Sequence, residues 1–209
     1  CLALNMKVQC KRDGAKALTV SSLTQEPDQP YMIANLGYCL AQSGDRILLV
    51  DANLRRPKLH GILGHALDYE KGLPEAINSI SEYAFRKGSA KPEEMTELIR
   101  KSVSPTGIHP DLHYINAGTT IDNTFEFLNS KGFPSLVAAM KESYDWILFD
   151  APPFLRSMDA AVLLSHVDGL LLFLEQQTQE SQLRLVQKKI DKLGSKIHGV
   201  VLRPAPQHK

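Results

Sequence analysis

Two stretches of the sequence decide the fold: ILLVDANLRRP at residues 47–57 and WILFDAPP at residues 146–153. Each begins with a short apolar run and reaches an aspartate, Asp51 in the first and Asp150 in the second. Such uninterrupted runs are typical of strands in a parallel sheet that is covered on both faces. An aspartate at the end of such a strand can hold magnesium in a nucleoside triphosphatase, or it can cap the next helix. The two aspartates therefore mark the sheet edge where a ligand crevice is expected.

Apolar runs alternate with amphipathic segments along the rest of the chain. Strands are predicted at residues 17–22, 46–50, 112–116, 146–150, 170–174 and 197–202. Helices are predicted at residues 31–43, 93–103, 132–143, 157–165 and 178–193. This alternation predicts one α/β domain over residues 1–209, doubly wound, with a mainly parallel sheet and helices on both faces. The proline- and glycine-bearing segment 78–110 is predicted to be an excursion, with one helix flanked by mobile loops.

Composition excludes several classes of protein. The formal net charge is +1 and 43% of the residues are hydrophobic, which is typical of an ordinary globular domain and gives no reason to expect nucleic acid as a partner. The three cysteines have neither metal-ligand nor CxxC spacing, so reduced thiols are expected. No apolar run approaches the roughly 18 residues that cross a bilayer. The chain opens with Cys1 in mid-pattern, so it is expected to be a domain excised from a longer membrane protein.

The motifs resemble those of one family. LLVDANLRRPKLH is similar to the second Walker motif of bacterial tyrosine kinases and polysaccharide co-polymerases, and ILFDAPP is similar to their third motif. Ala117-Gly118 and the stretch 123–128 resemble the family's AG and NPxELL motifs in the same order. Residues 1–11 resemble the end of its N-terminal helix. The resemblance implies a P-loop domain of the MinD/ParA-like superfamily.

The first nucleotide-binding motif of that family has no counterpart here. Where the family carries GxxxxGK[ST], this chain reads SSLTQEPDQP at residues 21–30, without glycine or lysine. Counting back from Asn35 places Gln29 at the lysine position and Pro30 at the magnesium-binding serine or threonine. Glu26 and Asp28 would repel phosphate, by about 4 kcal/mol for like charges at 4 Å and an effective dielectric of 20. Gln25 and Pro27 complete the altered loop, in which the prolines remove N–H donors.

Two further positions differ from the family pattern. Asn53 stands where active members carry a second aspartate, and Arg203 stands where they carry an adenine-reading asparagine. No tyrosine follows Tyr144, so the family's C-terminal tyrosine cluster is also missing. Arg55 and Arg56 are either contacts to a neighbouring subunit or residues of a solvated turn. Catalytic residues are therefore not expected, and Asp51, Asn53 and Asp150 are interpreted as vestiges.

By resemblance, the chain is expected to be a pseudokinase-like scaffold of an exopolysaccharide chain-length regulator, important for capsule or biofilm. It would lie in the cytoplasm at the inner face of the bacterial membrane. Its expected partners are a membrane-spanning co-polymerase, the polysaccharide export machinery and further copies of itself. No cofactor is expected. The alternatives are a divergent autokinase or ATPase that uses ATP with Mg²⁺ held by Asp51 and Asp150, and a domain that senses nucleotide without hydrolysing it.

Overall fold

A computed structural model of the chain describes residues 5–7, 10, 14–23, 28–87 and 92–203. Seven strands are present in this part of the chain: β1 (Ala17–Ser22), β2 (Ile47–Asp51), β3 (Ser104–Pro105), β4 (Leu112–Ile115), β5 (Trp146–Asp150), β6 (Gly169–Glu175) and β7 (Ile197–Arg203). The helices are α1 (Gln29–Gln42), α2 (Leu59–Ile62), α3 (Leu73–Lys87), α4 (Pro92–Ser102), α5 (Thr124–Leu128), α6 (Gly132–Ser143), α7 (Met158–His166) and α8 (Glu180–Leu193).

The strands form one sheet in the order β3-β4-β2-β5-β1-β6-β7. Every pairing is parallel except that between β3 and β4. This confirms the predicted doubly wound, mainly parallel α/β fold. The order places β2 and β5 side by side, so the two motif-bearing strands, which are almost a hundred residues apart in sequence, end next to each other.

Two buried clusters lie on opposite faces of the sheet. One contains Phe133, Phe149 and Phe154, and the rings of Phe133 and Phe149 meet edge to face with centroids 5.8 Å apart. The other contains Ile33 and Leu40 of α1, which pack on strand residues of β1 and β2. Apolar side chains therefore alternate between the two faces of each central strand, and helices cover both faces as predicted.

The predicted strands all form, with ends within one residue of the prediction, and the predicted helices form within two residues. Gly44 and Gly194 follow α1 and α8 with φ values of 86° and 62°, the left-handed conformation that glycine adopts readily at the end of a helix. Near the N-terminus, residues 5–7 and 10 are helical, in agreement with the helix that the resemblance implied for residues 1–11. The other residues of that segment lie outside the described residues.

The prediction for residues 78–110 was wrong in part. Residues 78–87 belong to α3, a helix that buries Leu73, Ala76, Ile77 and Ile80 against the sheet, so the segment contains the end of one helix and the whole of α4. The predicted excursion took its boundaries from glycine and proline and overlooked the 3-1-3 spacing of these apolar residues. The glycine-containing part, residues 88–91, lies outside the described residues.

Candidate functional site at the strand ends

Asp51 and Asp150 are direct neighbours at the carboxyl edge of the sheet. They are paired in the register of β2 and β5, and their side chains are 0% and 1% exposed. The strand order, rather than any spacing in the sequence, brings the two carboxyl groups together. This arrangement confirms that the two motifs meet at one edge.

Asp51 is held by the backbone that follows it. Its Oδ2 accepts hydrogen bonds from the N–H groups of Lys58, at 3.2 Å, and Leu59, at 3.1 Å, and its Oδ1 accepts one from Asn53 at 3.3 Å. These bonds fold the segment ANLRRPK back over the strand end and start α2. Asp51 therefore stabilises the turn and caps the helix that follows it. Of the two roles that the sequence left open, magnesium binding and helix capping, these hydrogen bonds correspond to the second.

Asp150 is held by Gln29, the first residue of α1. The Gln29 Nε2 donates to the Asp150 Oδ1 at 2.5 Å and to the carbonyl oxygen of Ala151 at 2.8 Å. Gln29 is only 5% exposed, so its amide lies inside the strand-end crevice rather than in solvent. At the position that the resemblance assigns to the nucleotide-binding lysine, a neutral amide thus bridges α1 to the end of β5.

Burial shifts the titration of both aspartates. Desolvation raises the pKa of Asp51 from 3.8 to about 7, against the lowering effect of its three backbone hydrogen bonds. Desolvation also raises the pKa of Asp150 well above 3.8, and the neighbouring Asp51 charge raises it further, while the hydrogen bond from Gln29 and the charge of Lys58 lower it. Burial and the neighbouring carboxyl group therefore both favour the protonated form of Asp150.

The carboxyl groups as arranged do not fit a resident magnesium ion. Mg²⁺ requires near-octahedral oxygen ligands. Three of the four carboxylate oxygens already accept hydrogen bonds from the protein, and Pro30 offers no side-chain oxygen. The cavity beside Asp150 is also lined by Gln29, Pro30, Asn53 and Lys58, and its volume of about 30 Å³ is enough for one water molecule.

The remaining predicted site residues are distributed as follows. Asn53 and Arg56 line the small cavity together with Gln29, whereas Asp28 precedes α1 as its N-cap without a side-chain cap hydrogen bond. Arg203 ends β7 on the edge of the sheet, paired in register with Glu175 of β6. Gln25, Glu26 and Pro27 lie outside the described residues.

A second cavity adjoins the first and was not predicted. It has a volume of about 660 Å³ and shares Asn53, Arg56 and Pro153 with the small cavity. Arg55 lies in its wall, where its Nη2 donates to the Thr124 Oγ1 at 2.9 Å and its Nε forms an ion pair with the Asp159 Oδ2 at 3.3 Å. The sequence singled out Arg55 and Arg56 but gave no signal that α5 and α7 would supply their neighbours.

Comparison with known proteins identifies the family. The family signature AAA_31, described as an AAA domain, matches residues 31–197. The chain belongs to this family. The tyrosine-protein kinase ptk of Acinetobacter johnsonii is 29% identical to the chain over 187 residues, which are 88% of this chain and 23% of ptk. The chain therefore spans about a quarter of the length of ptk. The putative tyrosine-protein kinase CapB of Staphylococcus aureus is 25% identical over 91% of this chain and 76% of CapB.

Solved structures agree with this assignment at the level of the fold. The kinase domain of the Escherichia coli tyrosine kinase ETK superposes with a TM-score of 0.79 at 20% identity, over 98% of this chain and 74% of that one. The resemblance to the P-loop domains of bacterial tyrosine kinases is thus confirmed for family and fold.

Two features are absent from the described residues. None of their helices is long and apolar enough to span a membrane. They contain no group of three or more histidine, cysteine, aspartate or glutamate side chains that could hold a metal ion.

Proposed function

We propose that this chain is a non-catalytic, pseudokinase-like scaffold domain of an exopolysaccharide chain-length regulator, in which nucleotide turnover has been lost. The observation that carries the proposal is Gln29. Its amide hydrogen-bonds the carboxyl group of Asp150, and the family resemblance assigns this position to the nucleotide-binding lysine. A lysine there would contribute positive charge toward terminal phosphates, whereas the amide contributes none and is committed to the protein.

Two further observations support the proposal. The cavity of about 30 Å³ beside Asp150 is far smaller than the roughly 300–1,000 Å³ of ordinary small-molecule sites. Pro30 follows Gln29 and has neither an N–H group nor a hydroxyl group to offer to a phosphate or a metal ion. On the scaffold proposal, Asp51 and Asp150 persist because they hold the turn before α2 and the start of α1.

The proposal extends to location and partners. The named relatives are tyrosine-protein kinases, and the family resemblance adds exopolysaccharide or capsule synthesis at the inner face of the bacterial membrane. We propose the membrane-spanning part of the same protein or a partner co-polymerase, the export machinery and further copies of the chain as partners. Arg55 and Arg56 are proposed as contact residues in such assemblies.

One observation favours a second candidate, a divergent ATPase or autokinase. Asp51 and Asp150 are adjacent at the strand ends, which is where an enzyme of this fold needs carboxylates. Binding of ATP with magnesium would have to displace the Gln29 amide from Asp150 before either carboxylate met the ion. A sensor that binds nucleotide without hydrolysing it would also need room for the phosphates and hydrogen-bond donors to hold them.

Calorimetric titration of the purified domain with ATP and ADP, with and without magnesium, tests the proposal. We expect no binding tighter than about 1 mM, which corresponds to roughly −4 kcal/mol. Micromolar, magnesium-dependent binding that is abolished in Asp51→Ala and Asp150→Ala would refute the scaffold proposal and establish the second candidate. Release of phosphate from ATP in the same samples separates an enzyme from a sensor.

A further inference from the structure

The segment that follows β5, residues 152–157, forms part of the wall of both cavities. Pro153 lines the small cavity and the second one, and Pro152, Arg156 and Ser157 also line the second. The segment connects the end of β5 to the start of α7. Its position therefore helps to set the shape of the crevice at the strand ends.

The end of β1 holds the first half of this segment. The Ser21 Oγ donates to the carbonyl oxygen of Pro152 at 2.7 Å, and the Phe154 N–H donates to the carbonyl oxygen of Ser22 at 2.8 Å. Ser21, Ser22 and Phe154 are each at most 1% exposed, so both hydrogen bonds lie in the protein interior. They fix the segment as far as Phe154 and leave the turn after it to be held by another element.

That element is α8, which reaches the turn through Lys189. The Lys189 Nζ donates to the carbonyl oxygen of Phe154 at 2.6 Å and to that of Ser157 at 3.4 Å. It also lies 4.7 Å from the centroid of the Phe154 ring, within the range of a cation–π contact. The turn is closed by the Ser157 N–H, which donates to the carbonyl oxygen of Pro153 at 3.0 Å. One ammonium group therefore bridges the two ends of the turn and ties it to α8.

The Lys189 side chain is committed to this contact rather than to solvent. Val186 and Ile190, each 2% exposed, pack α8 against the core, and Lys189 lies half-buried between them along the helix. Burial lowers the pKa of Lys189, and among the described residues it forms no ion pair that would offset this effect. A desolvated ammonium group needs hydrogen-bond partners, and here carbonyl oxygens of the segment supply them.

We propose that Lys189 is a positioning residue through which α8 holds residues 152–157 in the walls of both cavities. When the Lys189 Nζ leaves the two carbonyl oxygens, the turn opens locally while the sheet stays folded, because the bonds to β1 are on the first half of the segment. A displacement of α8 therefore changes the shape of the crevice. This inference goes beyond the scaffold function and does not depend on it, since the segment lies in the crevice wall whether or not a nucleotide binds.

Amide hydrogen exchange of the whole domain, followed residue by residue by NMR, tests the inference with Lys189→Met. Methionine keeps most of the length of the side chain and removes the ammonium group. The N–H groups of Phe154 and Ser157 are hydrogen-bonded in the closed segment, so their exchange reports its opening. We expect both to exchange about tenfold faster, which is roughly 1.4 kcal/mol of local opening free energy, while the amides of β6 keep their rates. Lys189→Gln, measured in parallel, should give the same local acceleration.

Lys188→Met is the matched control, because Lys188 is the adjacent lysine of α8 and is exposed. It should leave both exchange rates unchanged. Cleavage by trypsin after the exposed Arg156 gives a second measurement, and it should be faster in Lys189→Met and unchanged in Lys188→Met. The proposal is overturned if the Phe154 and Ser157 rates do not change in Lys189→Met, or if Lys188→Met accelerates them equally. Equal acceleration of the β6 amides would also overturn it, because that result means a loss of global stability without local opening.

Discussion

The stability of an Asp150→Asn variant, measured relative to that of the unmodified protein, should increase as the pH rises. The folded state raises the pKa of Asp150 well above 3.8. Between pH 4 and that raised pKa the folded chain retains a proton that the unfolded chain has released, so stability falls as the pH increases. Asparagine has the shape of the protonated carboxyl group and keeps an oxygen for the Gln29 amide. The variant therefore lacks the decrease in stability with pH that Asp150 causes.

The magnitude follows from linkage. While one proton is bound only in the folded state, the free energy of unfolding falls by about 1.4 kcal/mol per pH unit. From pH 5 to pH 7, the stability of Asp150→Asn relative to the unmodified protein should thus rise by up to about 3 kcal/mol. The value of about 3 kcal/mol applies if folded Asp150 keeps its proton over the whole range from pH 5 to pH 7. Because Asp51 and Asp150 titrate together, we expect a smaller rise in relative stability, of about 1 kcal/mol or more.

Urea unfolding at half-unit pH intervals provides the assay, with the fluorescence of the single tryptophan, Trp146, as the signal. Trp146 is 4% exposed and lies in the same strand as Asp150, so its emission reports the loss of the core. Burial lowers the pKa of His60, His113 and His166, which makes stability rise with pH over part of this window. Those contributions are common to both proteins and cancel in the difference.

The control is Asp122→Asn, the same substitution at an exposed carboxylate outside the aspartate pair, and an equal pH-dependent difference in this control would show that the effect does not come from the buried site. A flat difference for Asp150→Asn between pH 5 and pH 7 would refute the reasoning, because it would mean that Asp150 is already ionised in the folded state.

Three further substitutions test the packing and the hydrogen bonds. Gln29→Ala removes the donor to Asp150 and should cost about 1–3 kcal/mol of stability in urea unfolding, and an unchanged midpoint would contradict the role of the amide. Phe133→Ala leaves a cavity in the core and should cost about 3–5 kcal/mol, measured by thermal unfolding with Phe133→Leu as the milder comparison. Burial would raise the pKa of Asp168, yet the Ala17 N–H and Lys141 lower it below 3.8. Asp168→Asn should therefore cost about 1–3 kcal/mol at pH 7, a loss that shrinks as the pH falls through the lowered pKa and that a pH-independent loss would contradict.

Much of the fold could be predicted from local pattern. The apolar runs gave the strands at residues 17–22 and 146–150 with the observed ends, because strands buried on both faces need continuous apolar sequence. Helix α3 was missed although Leu73, Ala76, Ile77 and Ile80 carry its apolar face, because glycine and proline were used to set the boundaries. Strand β3, only two residues long, has no pattern of its own and exists because it pairs with β4.

For the candidate site, the sequence located the two aspartates and the altered residues at 25–30 but not their interactions. Counting positions placed Gln29 opposite the usual lysine, and only the structure shows that its amide donates to Asp150. The second cavity had no sequence signal, because Arg55, Thr124 and Asp159 are separated by 69 and 35 residues and meet only through the packing of α5 and α7 around the end of β2.

The sequence by itself determined the family and most of the elements, and it predicts the loss of the glycine-lysine loop, because these follow from residue type and short-range spacing. The tertiary structure alone decided that Asp51 and Asp150 share one buried site and that three arginines line the second cavity. Strand order sets which side chains meet and how far water is excluded from them. Exclusion of water in turn sets the protonation of the aspartate pair, and the positions of α5 and α7 set the shape and charge of the second cavity.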